Sequence, residues 1–210
     1  MNDGLAGLAE DYGLEPMSFV TGGVGKRSVD LYIGDKIAAG DIDLLRAHGI
    51  TSVLNTAVNV DFNYVNRQVD AHPGGNVLMF GHSPIRMAKV GMIDGPGNLP
   101  SLLLAACHTV EGLLHQDSPT KASHPRHKPG NLLIHCRAGR SRSVIVAALY
   151  LHAKYPEKWP SFERTLDHVR EQRGMPLEDY EKVPTPAMME LAYAILEEVR
   201  ISGRPLFPIS

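Results

Sequence analysis

Cysteine is nearly missing from this chain. Cys107 and Cys136 are the only two in 210 residues, and they form neither a CxxC pair nor part of a ligand quartet, which excludes a disulfide framework and a cysteine-built zinc site. A reducing, cytoplasmic setting is therefore expected. Charge of one sign is also missing: 21 basic against 23 acidic side chains leave a net charge of -2. No global positive field recommends nucleic acid or an anionic membrane as a partner, so any anion site has to be local. Long apolar runs are absent too. Leu102 to Cys107 and Val144 to Leu151 fall far short of the roughly 20 residues that cross a bilayer, and no stable membrane anchor is expected. The opening MNDGLAGLAEDYGLEP lacks a basic stretch and an apolar core, so no signal peptide is read there. No repeat of fixed period is found. What remains, 43% hydrophobic and 21% charged residues, is the composition of a globular domain with a sizeable core.

The apolar runs suggest an order of elements. Asp30 to Ile33 is a short strand-like run ended by Gly34, and Asp41 opens a helix carrying Ile42, Leu44 and Leu45, with Gly49 at its C-cap. Thr51 to Ala57, Asn76 to Phe80 and Asn131 to His135 read as buried strands of a mainly parallel sheet. Leu99 to Leu114 has apolar residues at helical spacing. Further helices are predicted from Arg142 to Tyr155, from Pro160 through Val169, and from Pro186 through Val199. This order predicts a single α/β domain, a twisted, mostly parallel sheet flanked by helices. The segment Gln116 to Asn131 reads as an exposed loop, with His124 and His127 solvated within it, and Arg86 to Lys89 as a solvated turn that adds positive potential ahead of Asp94.

Chemistry concentrates in Asn131-Leu-Leu-Ile-His-Cys-Arg-Ala-Gly-Arg-Ser-Arg-Ser143. A strand that delivers a loop onto a helix N-terminus aims several backbone N–H groups at one point, where the helix dipole adds positive charge. Arg137, Ala138, Gly139, Arg140 and Ser141 make up that loop, and Gly139 permits the positive φ or close approach a nest requires. Cys136 enters the concavity where an oxyanion would sit. The same amides favour thiolate over thiol, moving the pKa from about 8.5 into the range of roughly 3.5 to 7.5. Arg142 can offer its planar fork to two phosphate oxygens. The Ser143 hydroxyl lies close enough in sequence to hydrogen-bond the sulfur. His135 points to the other side of the strand by alternation and suits fixing the loop rather than acting as a base. Cys107, among apolar helix neighbours, reads as core.

The run His135-Cys136-Arg137-Ala138-Gly139-Arg140-Ser141-Arg142-Ser143 resembles the HCxxGxxR[ST] signature of cysteine-dependent phosphatases, specifically the dual-specificity type. Leu31-Tyr-Ile-Gly-Asp35 and Leu44 to Asn55 resemble that family's opening strand, helix and second strand. The resemblance therefore runs from residue 28 to 201, with 1–27 as an extension, 116–130 as an insertion and 202–210 as a tail. It implies a phosphomonoester hydrolase acting on phosphorylated tyrosine and on phosphorylated serine or threonine through a cysteinyl-phosphate, without metal or other cofactor. It also implies a general acid on a mobile upstream loop. Asp94, in the glycine-rich Gly91-Met-Ile-Asp-Gly-Pro-Gly97, is favoured over its rival Asp117.

Two alternatives stand beside this reading. The cations Arg137 and Arg140 make the loop similar to those of phosphatidylglycerophosphate and phosphoinositide phosphatases, which implies a phospholipid or other small anionic phosphoester as substrate. The other is a phosphate-binding module without turnover, against which the retention of Cys136, Arg142, Ser143 and Asp94 argues.

Overall fold

The computed structural model describes residues 13–65, 68–71, 77–79, 83–117 and 129–207. Five strands form the main sheet, in the order β1 (Met17–Val24), β2 (Val29–Gly34), β7 (Asn131–His135), β3 (Ile50–Ala57) and β6 (Arg86–Met92). β1 runs antiparallel to β2, and every other pairing is parallel. The sheet thus begins at Met17, inside the segment read as an extension.

β7 sits at the centre because it is apolar on both faces: Leu132, Leu133 and Ile134 are completely buried. Its register is pinned at the entrance by Asn131, whose Oδ1 accepts from the Asp30 amide at 2.9 Å and whose Nδ2 donates to the His48 carbonyl at 2.8 Å. The short helices α1 (Lys36–Gly40) and α2 (Ile42–Ala47) start on Asp35 and Asp41, each carboxylate accepting two backbone N–H bonds. They cover one face through Ala39 and Leu45, which pack with Ile50, Val53 and Leu133.

The opposite face carries α3 (Pro100–His115), α4 (Arg142–Lys154), α5 (Phe162–Gln172) and α6 (Pro186–Ser202). α4 is buried on all sides from Arg142 to Leu151, as an apolar run such as VIVAALYL demands, with the other three helices packed around it. α5 starts at Phe162 rather than Pro160 because the Ser161 hydroxyl caps it, accepting from the Arg164 amide at 3.4 Å. Among the described residues no helix is long and apolar enough to cross a membrane.

One predicted strand is displaced. Val77–Met79, from the run Asn76 to Phe80, forms β5 and pairs antiparallel with β4 (Gln68–Ala71) in a separate two-stranded sheet, while Asn76 and Phe80 lie outside the described residues. The sheet position is taken by Arg86–Met92, whose first residues, Arg86 to Lys89, read from sequence as a solvated turn. The physical reason is its edge location. Alternate side chains Ala88, Val90 and Met92 turn inward while Met87 and Lys89 stay exposed, so half the strand is polar and no continuous apolar run announces it. His124 and His127 also lie outside the described residues.

A residue beyond α6 also belongs to the core. Phe207, in the segment read as a tail, is buried and places its ring 5.3 Å from that of Tyr150 and 5.2 Å from that of His108. Phe207→Ala is expected to lower unfolding stability by about 3–5 kcal/mol, measured by urea denaturation. A tail without packing would show no loss.

Candidate active site

The site forms where β7 ends and α4 begins, at the C-terminal edge of the parallel strands, the usual location for ligand sites in open α/β sheets. Residues 136–141 make the connecting loop. Gly139 adopts φ +67°, and a Cβ there would lie 2.7 Å from both the carbonyl carbon and oxygen of Gly34. Only glycine meets both demands. The loop is tied to its neighbours by the Cys136 amide to the Gly34 carbonyl at 3.4 Å and the Lys36 amide to the Arg137 carbonyl at 3.1 Å. From the other side Arg173, buried after the end of α5, donates its Nε to the Gly139 carbonyl at 3.0 Å and its Nη1 to Ser18 Oγ at 3.1 Å and to the Glu15 carbonyl.

Cys136 Sγ lies within this cradle. It accepts the Gly139 N–H at 3.2 Å and stands 3.4 Å from Ser143 Oγ. Burial by itself pushes the thiol up, and Asp94 acts in the same direction. The Arg142 charge, with hydrogen bonds from the Ser143 hydroxyl and amide, outweighs them, so the thiol ionises below the ordinary range. The other cysteine contrasts sharply. Cys107 is buried among apolar groups that push its thiol up to about 12, which keeps it protonated and inert.

Arg142 is buried and held on the far side of the site by the Met92 carbonyl at 3.1 Å and Asn59 Oδ1 at 3.3 Å. Among the described residues its buried Nε has no hydrogen-bond partner. Asp94 Oδ2 lies 3.7 Å from Arg142 Nη2, and the Asp94 side chain is 39% exposed. Its loop is fastened by Asn98, which receives the Ile93 amide at 2.9 Å and donates back to the carbonyls of Ile93 at 2.8 Å and Gly95 at 3.1 Å. A cavity of about 300 Å³ opens among Asn59, Ile93, Asp94, Arg137, Ala138 and Arg142.

His135 is fully buried, with Nδ1 3.2 Å from the Cys136 carbonyl. Burial drives its pKa down to about 4, so the ring is neutral at physiological pH. Its ring meets Phe62 edge-on at 5.6 Å. Ser141 Oγ accepts the Thr185 amide at 3.3 Å, and Arg140 pairs with Asp179.

The structure thus brings Cys136, Arg142, Ser143 and Asp94 together with the loop 137–141. It does not bring Asp117 there. Asp117 lies near the opposite end of the sheet, paired with Lys26 and Arg27. Sequence reasoning missed Asn59, Asn98 and Arg173. A signal existed for Asn59, which follows directly on a strand that ends at the ligand-binding edge. For Arg173 none did, because an arginine at a helix end ordinarily reads as solvated.

The depressed thiol yields a sign for pH dependence. Since Cys136 ionises more readily folded than unfolded, its thiolate adds stability above the unfolded value of about 8.5, and that contribution is lost as pH falls through the folded value. Arg142→Ala is expected to raise the Cys136 titration midpoint by about one to three pH units, and Ser143→Ala by less. The ultraviolet absorbance of the thiolate measures both. An unchanged midpoint in Arg142→Ala would refute the electrostatic account.

No family model matches the chain. Among solved structures it is similar to human DUSP28, a dual-specificity phosphatase, with a TM-score of 0.56 and 20% identity over 89% of this chain and 96% of that one. The Yvh1 phosphatase domain from Chaetomium thermophilum matches with a TM-score of 0.53 and 21% identity, covering 84% and 94% of the two chains. The human tyrosine phosphatase-like serine/threonine/tyrosine-interacting protein matches with a TM-score of 0.51 and 16% identity, covering 81% and 93%. These likenesses show that the chain has the fold of the dual-specificity phosphatases.

Proposed function

We propose that the protein is a cysteine-dependent phosphomonoesterase of the dual-specificity protein phosphatase type, acting on phosphorylated tyrosine and on phosphorylated serine or threonine. The observation that carries this reading is a buried thiol 3.2 Å from the Gly139 N–H whose ionisation Arg142 and Ser143 favour, beside a cavity lined by Asp94 and Arg142. A thiolate, oxyanion donors and a carboxylate on a glycine-bearing loop are the parts that phosphoryl transfer requires.

In the proposed reaction Cys136 Sγ attacks phosphorus in line. The S–P bond forms as the P–O bond to the leaving oxygen breaks, and Asp94 supplies the proton that oxygen takes up. The loop amides and Arg142 hold the equatorial oxygens, where charge needs compensation. In the second step Asp94 takes a proton from water, which attacks phosphorus and breaks the S–P bond. Phosphate leaves and the thiolate returns, with the Ser143 hydroxyl donating to the sulfur. His135, neutral and buried, acts as a positioning residue for the Cys136 carbonyl.

The phospholipid or small-phosphoester alternative rested on two extra cations, Arg137 and Arg140. Arg140 is engaged by Asp179, so its charge is largely compensated, which favours the protein-directed reading. Arg137 lines the cavity.

Steady-state hydrolysis of an aryl phosphate, a phosphotyrosine peptide, a phosphothreonine peptide and a soluble phosphatidylglycerophosphate tests the proposal. Cys136→Ser is expected to abolish turnover, and Asp94→Asn to lower kcat by about 10²–10⁴-fold and to remove one limb of the pH profile. A preference for the lipid substrate would select the alternative. Phosphate binding without turnover of any substrate would identify a binding module and sink the enzyme reading.

A further inference from the structure

A second cluster of cations lies at the end of the sheet where the parallel strands begin. Arg86 opens β6, Ser52 pairs with it on β3, and Leu132 follows on β7. Registered neighbours in a sheet share a face, so the three side chains project together. Leu113 and Leu114 from the last turn of α3 close over them, and with Arg27, Thr51 and Gln116 they enclose a cavity of about 240 Å³. Leu132 lies four residues before Cys136 along β7, or about 13 Å at the rise of a strand. The cavity is therefore separate from the thiol site.

Its charges are unbalanced. Among the described residues, Lys26 and Arg27 both pair with Asp117, whose side chain is 66% exposed, while Arg86 pairs with the neutral Gln116 Oε1 and with no carboxylate. Three cations thus face one carboxylate at the rim. Partial burial and the nearby Arg27 both disfavour the charge on Arg86. Two guanidinium groups held together in a sheltered cleft repel each other unless an anion joins them. The chain as a whole carries a net charge of -2, so this local excess is not a general basic surface.

We propose that this cleft is a second oxyanion-binding site, one that takes the phosphate group of a small phosphorylated molecule or free inorganic phosphate. Arg86 and Arg27 supply planar forks that match two phosphate oxygens each. Thr51 and Ser52 hydroxyls are neutral donors at the same mouth, and the Gln116 amide can turn its NH₂ inward when an anion replaces its present contact. The apolar floor of Val29, Leu113, Leu114 and Leu132 leaves room for a small body beside the phosphate.

Titration with inorganic phosphate and, separately, with glycerol 3-phosphate tests this by amide NMR shifts in an Arg142→Ala background, which weakens the thiol site and prevents turnover of the ester. Amides of Ser52, Gly130 and Leu132 are expected to move and saturate with at least one of the two, and the responding ligand identifies the source. Arg86→Gln should weaken that binding about tenfold or more, Arg86→Lys should weaken it less, and Asp117→Asn should tighten it by removing the competing carboxylate. Unchanged α4 amide shifts report that each variant is folded. If the basal amides respond to neither ligand, or if Arg27→Gln and Arg86→Gln both leave the dissociation constant of the parent unchanged, the proposal is overturned. The test reads binding at the basal cleft, so its outcome is independent of whether Cys136 turns over substrate.

Discussion

The contact of Gly139 with the backbone of Gly34 is the constraint from which the site follows. It presses the 136–141 loop onto the end of β2 at a distance that no side chain allows, and so sets where the Cys136 sulfur and the Gly139 N–H meet. The loop cannot drift outward, because Arg173 holds the Gly139 carbonyl from the opposite side, nor sideways, because the start of α1 holds the Arg137 carbonyl. Rigid placement of this kind is what lets backbone dipoles act on an anion without reorganising.

Electrostatics follow from that placement. A buried thiol surrounded by apolar atoms protonates, as Cys107 does; Cys136 is equally buried and ionises more readily than an ordinary thiol because Arg142 and Ser143 face its sulfur. Arg142 is in turn positioned by groups from two other strand ends, the carbonyl of Met92 and the side chain of Asn59. Three parallel strands, β3, β6 and β7, therefore contribute at one edge. This is the physical advantage of a parallel sheet for building a site, since all its strand ends and following loops converge on the same side.

Legibility in the sequence tracked how local each feature is. The helices α3, α4 and α6 were readable because long stretches of apolar residues recur at helical spacing, and β7 because it is apolar throughout. β6 was not, since an edge strand needs only alternate apolar positions and its arginine and lysine looked like a turn. The nearby run around Val77–Met79 competed for the same place and was more apolar. Nothing local told which run would lie beside β3; pairing of Ser52 with Arg86 is a property of the assembled sheet. Arg140 shows the same limit. Its charge was evident, but not that Asp179, 39 positions on, would meet it.

By itself the sequence determined the strand, loop and helix around Cys136, because an apolar strand, a small glycine-containing loop and an apolar helix occur in one continuous stretch whose local conformational preferences agree. It also determined the α/β class through the order of its apolar runs. Tertiary structure alone decided which distant groups reach the loop: Asp94 at 3.7 Å from Arg142, Asn59 and Arg173 beside it, and Asp117 at the opposite end. The reason is that a carboxylate's distance along the chain says little about its distance in space. Strand order and register, which depend on the simultaneous packing of both faces of the sheet, set the second.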